Sequence, residues 1–169
     1  MHAPVNQRGL TLTELVFAIA VLAILTALAV PSYNSFLDKQ RVKGAANALA
    51  DDLRFAREES VRLGRSVHVS FQPAAPWCWG VAFNRACDCK GLNPALRCDI
   101  SRGGGEDFKG VALAVSQAIE FDPQLGRAMQ PGRTEFTSLG GNRLRVELTG
   151  SGRSRVCVAG GAVSGLEAC

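Results

Sequence analysis

Hydrophobic residues follow three different rules along this chain. From Leu10 to Val30 the run is apolar on every side, broken only by Thr11, Thr13, Glu14 and Thr26. Its roughly 21 residues, at about 1.5 Å rise each, would span about 32 Å as a helix, enough for a bilayer core of about 30 Å. From Val42 the pattern turns amphipathic. Val42, Ala46, Leu49, Leu53, Ala56, Ser60 and Leu63 recur at alternating spacings of four and three, with Lys39, Lys43, Asp51, Arg54 and Arg62 mostly off the stripe. Pro31 stands between the two regimes, where loss of a backbone donor predicts a kink. Gly64 is a credible stop.

After Gly64 the period becomes two. Ser66–Phe71 and Trp79–Phe83 read as strands, and strand signals return at 117–121, 134–138, 142–148 and 154–158. Between them, Asn84–Gly110 carries cysteines, Pro94 and the triplet Gly103-Gly104-Gly105, and is expected to be a pinned loop. The predicted architecture is α+β: one long N-terminal helix, half membrane-embedded and half amphipathic, packed on a mainly antiparallel sheet.

Charge adds a constraint at each end. Glu14 lies inside the apolar run, where an ionised carboxylate is costly and therefore a functional candidate. The net charge of +4 is only mildly basic, but from Gly126 onward six arginines occur with no lysine and three glutamates. Arginine without lysine points to forked recognition of phosphate or carboxylate. In 142–148, Arg143, Arg145 and Glu147 alternate with Leu144, Val146 and Leu148; in 153–158, Arg153 and Arg155 alternate with Val156 and Val158. If these strands pair through the turn at 149–152, four arginines can share one solvent face with Arg133 extending it. Gly152 and its neighbours would let a polyphosphate approach closely. No aromatic residue interleaves with them, so sequence-independent binding is expected.

The six cysteines, Cys78, Cys87, Cys89, Cys98, Cys157 and Cys169, all follow the apolar run. Zinc is the competing reading for the cluster at 87–98, but there is no CxxC pair. An even count beyond a membrane segment whose basic leader stays cytoplasmic favours disulfides in an oxidising periplasm. Cys157 with Cys169 is the easiest bridge, and the pairing of the other four stays open. His2 and the lone His68 offer no catalytic constellation, and no phosphate-cradling loop or paired carboxylates are present. No enzyme activity, cofactor or metal is expected.

Arg8-Gly9-Leu10-Thr11-Leu12-Thr13-Glu14, followed by the apolar run, resembles the leader of type IV pilins and pseudopilins. The resemblance implies cleavage after Gly9 by a prepilin peptidase, methylation of the new N-terminus at Leu10, and Glu14 in the place of the family's assembly glutamate. Leu10 departs from the family's more frequent Phe. The implied organisation is a leader over 1–9, a transmembrane helix over 10–30, its amphipathic continuation over 31–64 and a periplasmic β-rich domain over 65–169. Trp79-Gly80, the segment from Ile119 to Asp122 with Gly126, and the last two strands are similar to the FimT/GspH branch. Gly152-Arg153-Ser154-Arg155 also resembles a motif of DNA-binding FimT minor pilins of natural transformation. That likeness implies DNA contacts at Arg153 and Arg155. The alternative is a structural tip or priming subunit, or the H-type pseudopilin of a type II secretion system, with no nucleic-acid role. Either way the implied partners are other pilins, prepilin peptidase and the inner membrane, with incorporation into a pilus or pseudopilus.

Overall fold

The computed structural model describes residues 11–115 and 117–169. Gly9 and Leu10, the expected processing site, lie outside the described residues. The first element is helix α1, Leu12–Leu63, and the chain divides into two units between Phe36 and Leu37.

In the first unit the helix opens on Thr11, whose Oγ1 accepts the Glu14 N–H at 3.3 Å. Thr11-x-x-Glu14 thus has the spacing of a capping box, with an acid in the first turn where the helix dipole favours it. Leu12, Leu15, Val16, Phe17, Ile19, Val21, Leu22, Ile24, Leu25 and Val30 are all exposed. The helix is long and apolar enough to cross a membrane. Thr26 satisfies its hydroxyl within the helix, donating to the Leu22 and Ala23 carbonyls at 2.9 and 3.0 Å. Helical assignment is continuous through Pro31.

The second unit contains two four-stranded sheets. Strands β1 (Val67–Gln72), β2 (Cys78–Phe83), β3 (Ser101–Gly104) and β5 (Ile119–Phe121) form the first, in the order β3-β2-β1-β5. Strands β4 (Val111–Val115), β6 (Gly132–Ser138), β7 (Arg143–Leu148) and β8 (Ser154–Gly160) form the second, in the order β4-β6-β7-β8. Every pair of neighbouring strands is antiparallel. The expected α+β class is therefore present, with two sheets where one was predicted. The expected loop at 84–110 needs correction, because it contains β3 and a short 3-10 turn at Pro94–Leu96. Strand β3, Ser-Arg-Gly-Gly, has no apolar alternation to reveal it.

The helical stripe packs as its period requires. Val42, Ala46, Leu49, Leu53, Ala56 and Ser60 are buried, while Leu63 is exposed near the helix end. Each large apolar side chain removed from water contributes about 1.5–3 kcal/mol. Trp79 of β2 and Phe136 of β6 meet edge-on at 6.0 Å between ring centres, joining the two sheets. Polar contacts then fix the helix: Trp79 Nε1 donates to Asp52 at 2.6 Å, and Ser154 Oγ to the Ala50 carbonyl at 3.2 Å. Asp38 accepts from Ser138 Oγ, Asn142 Nδ2 and the Gly140 N–H at 2.5, 3.1 and 3.2 Å. Burial opposes ionisation of Asp38, but these three donors and the Arg41 charge outweigh it and hold the carboxyl below its ordinary range.

All six cysteines are bridged, Cys78–Cys89 and Cys87–Cys98 interlaced and Cys157–Cys169 at the C-terminal end. The preferred disulfide reading and the expected last bridge are both present.

Candidate functional site

Alternation and register decide what the arginines share. In the second sheet Thr134, Phe136, Leu144, Val146 and Leu148 face inward and are buried. Residues of opposite parity face outward. Register sets Arg133 beside Glu147 and Glu147 beside Arg155 in one row; the next row sets Glu135 beside Arg145 and Arg145 beside Cys157. Arg143 is level with Thr137 and Gly160. Arg153 precedes β8 at the same parity, and its carbonyl accepts from Thr149 N at 3.0 Å in the β7–β8 turn. The strands do pair through that turn, and Arg143, Arg145 and Arg155 share the outer face.

These arginines are not equivalent. Arg145 is clamped by Glu135, with Nε at 2.8 Å and Nη2 at 2.6 Å, and lies 3.5 Å from Glu147. Arg155 grips Glu147 through Nε and Nη2 at 2.9 and 2.7 Å. Hydrogen bonds from Arg155, opposed by burial and helped by Arg145, hold the Glu147 carboxyl below its usual range. Anions that keep this cluster from repelling itself are thus partly internal. Glu135 was not among the residues singled out in the sequence; it alternates within 134–138, but its pairing depends on register. Arg133, Arg143 and Arg153 are exposed and have no ion-pair partner among the described residues.

Gly152 has a different task from the one its place in the motif suggests. It is buried at φ +78°, and a Cβ there would collide with the Gly126 carbonyl and meet Arg57 Cδ and Nε at 2.9 Å. It seats the turn on the domain and offers no open approach to a ligand. Ser151 is exposed and pairs with Thr149 Oγ1 at 2.9 Å.

A family model described as Type II transport protein GspH matches residues 45–158, and one described as the prokaryotic N-terminal methylation motif matches residues 5–30. The chain belongs to the GspH family. It is a GspH-type minor pilin within the type IV pilin and pseudopilin superfamily. The Type IV major fimbrial protein FimA of Dichelobacter nodosus strain VCS1703A is 34% identical over 59 residues, 35% of this chain and 36% of FimA. A second FimA from Dichelobacter nodosus matches with the same identity and coverage. The chain therefore spans about a third of the length of the curated relatives it matches. No solved structure matches it. Its methylation motif and apolar helix fit a membrane-anchored pilin.

Proposed function

We propose that this GspH-type minor pilin binds DNA without sequence preference on the outer face of β6, β7 and β8, as part of a type IV pilus or pseudopilus used in uptake. The observation that carries the reading is a face with five arginines and only two glutamates, three of the arginines having no carboxylate partner among the described residues. Arg143 and Arg153 stand about six residues apart along the hairpin, or about 20 Å at 3.3 Å per residue. One ligand reaches both only if it is an extended polyanion, which is what a nucleic-acid backbone offers. Binding works by counterion release, so affinity falls steeply with salt. Arg143, Arg153 and Arg133 supply the leading contacts, while Arg145 and Arg155 are already shared with carboxylates and contribute less.

In the same reading the leader 1–9 is removed after Gly9, Leu10 carries the new ammonium, and 10–30 crosses the inner membrane once with the domain on the periplasmic side. Glu14, besides its place in the helix cap, pairs with the ammonium of a neighbouring subunit and sets axial register, since either charge left alone in a dry helical bundle costs several kcal/mol.

Full-length protein in neutral detergent, titrated against labelled duplex at two salt concentrations, tests the interface. Arg143→Gln with Arg153→Gln should remove most binding and lower the slope of log affinity against log salt by about 1.8. The melting temperature should not move. Unchanged affinity at both salts would sink the proposal. It would also favour the second reading, suggested by the GspH match, of an assembly subunit of a type II secretion pseudopilus with no DNA role.

A further inference from the structure

Two turns meet the helix at one seam. The β5–β6 connection turns at Gly126, at φ +61°, and the β7–β8 connection at Gly152, at φ +78°; both glycines are buried. Arg57 of the helix lies between them. Its Nε donates to the Gly126 carbonyl at 3.1 Å. A Cβ on Gly126 would press on Arg57 Cγ and Val61 Cγ2 at 2.9 Å, so the stem of Arg57 fills the seam. Neither terminal guanidinium nitrogen of Arg57 has a protein partner among the described residues.

The residue after each glycine is also an arginine. Arg127 and Arg153 are exposed and lack an ion pair among the described residues, and contact of Gly152 with the Gly126 carbonyl brings their backbones to the same end of the domain. Nearby carboxylates are engaged elsewhere. Asp122 accepts the Leu125 N–H at 2.8 Å, and Glu59 is held by Arg62 at 2.7 Å. Glu58, next to Arg57 on the helix, is exposed and forms no ion pair with it.

We infer that Arg57, Arg127 and Arg153 form a phosphate-binding notch at this seam, taking one phosphate group of a phosphodiester or polyphosphate chain. The inference rests on the arginine-face reading and deepens it: Arg153 belongs to both, so the notch continues the polyanion track from the sheet onto the end of the domain. Arg57 supplies a guanidinium fork pre-set by the Gly126 carbonyl, and Arg127 and Arg153 close on the ligand from the two turns.

Two probes separate the notch from the face, using the full chain in neutral detergent. Labelled duplex DNA followed over a salt series should show a slope lowered by about 0.9 in Arg127→Gln and by about 1.8 in Arg57→Gln with Arg127→Gln. Arg97→Gln, an exposed arginine in the disulfide loop, should leave the slope unchanged. Calorimetry with sodium tripolyphosphate should show binding that Arg127→Gln weakens and Arg143→Gln does not. Arg127→Gln is the deciding variant because this exposed side chain makes no hydrogen bond or ion pair among the described residues. If Arg127→Gln keeps both the slope and tripolyphosphate affinity while Arg143→Gln loses DNA, the notch is refuted and the face stands. If wild type ignores DNA but binds tripolyphosphate through Arg127, the nucleic-acid reading falls and the notch survives. Binding to neither probe ends both.

Discussion

The two sheets have similar inner faces and opposite outer ones. Outside the first sheet, Cys78, Gly80 and Ala82 of β2 lie under the loop that follows it. A Cβ on Gly80 would strike Cys98 Sγ and come within 2.9 Å of Cys87 Sγ. Ser70 Oγ accepts the Cys87 N–H at 3.1 Å, and Gln72 donates to Asp88 at 3.0 Å, which tie the loop to β1. Both faces of β2 are thereby buried. Outside the second sheet the cover is only partial: the Cys157–Cys169 bridge lies on that face and Cys157 is buried, while the remainder carries arginines and glutamates in rows. One face is closed by two crossed bridges and serves stability; the other has a single bridge at its β8 edge and is otherwise open and charged.

The largest effect that bears on this contrast is loss of a crossed bridge. Cys87→Ser with Cys98→Ser opens a loop with a sequence separation of 11 and should cost about 3 kcal/mol in urea unfolding. DNA affinity, read on the folded fraction, should stay within about twofold; a parallel fall would mean that the two outer faces are not independent. Next in size is Gly152→Ala, which forces a left-handed residue against the Gly126 carbonyl and Arg57. It should destabilise by about 2 kcal/mol and disturb the open face by loosening the Arg153 turn.

Glu147→Gln sharpens the comparison from the charge side. Removing the carboxylate between Arg133, Arg145 and Arg155 should raise DNA affinity about threefold or more at low salt. Stability should change by less than about 1 kcal/mol, since Arg155 is largely exposed. Reduced affinity would show that Glu147 positions the arginines more than it neutralises them.

Acid titration should give the smallest effect near neutrality. Asp38, Asp88 and Glu147 all have folded-state pKa values below their ordinary values of 3.8, 3.8 and 4.5. For such groups the stabilisation is fully present above the ordinary value and drains as pH falls through the folded one. Thermal melts should therefore be flat from pH 7 to about 5 and decline below about 4, and Asp38→Asn should blunt that decline. A melt unchanged by pH in that window would count against these hydrogen-bonded carboxylates.

Much of this molecule was legible residue by residue. The helical stripe appeared in the spacing of Val42, Ala46, Leu49 and Leu53, and the arginine strands in the alternation of Arg143, Arg145 and Glu147 with apolar neighbours. Strand β4, Val-Ala-Leu-Ala-Val, hid its alternation because its exposed positions Ala112 and Ala114 are also apolar. Thr11-x-x-Glu14 carried a readable capping signal that the assembly role of Glu14 overshadowed. Arg57 gave no local sign and Gly126 stood out only through the family likeness, for their meeting with Gly152 joins positions far apart in the chain.

By itself the sequence determined the class: an apolar helix with one acid, an amphipathic continuation, alternating strands and paired cysteines, each a periodic or compositional property carried locally. Tertiary structure alone decided how Cys78, Cys87, Cys89 and Cys98 pair, which arginines are held by glutamates and which remain open, and that Gly152 faces the domain. Those outcomes depend on strand register and on close approach between distant turns. Side chains alternate faces with every residue, so only the registered sheet determines which charges become neighbours.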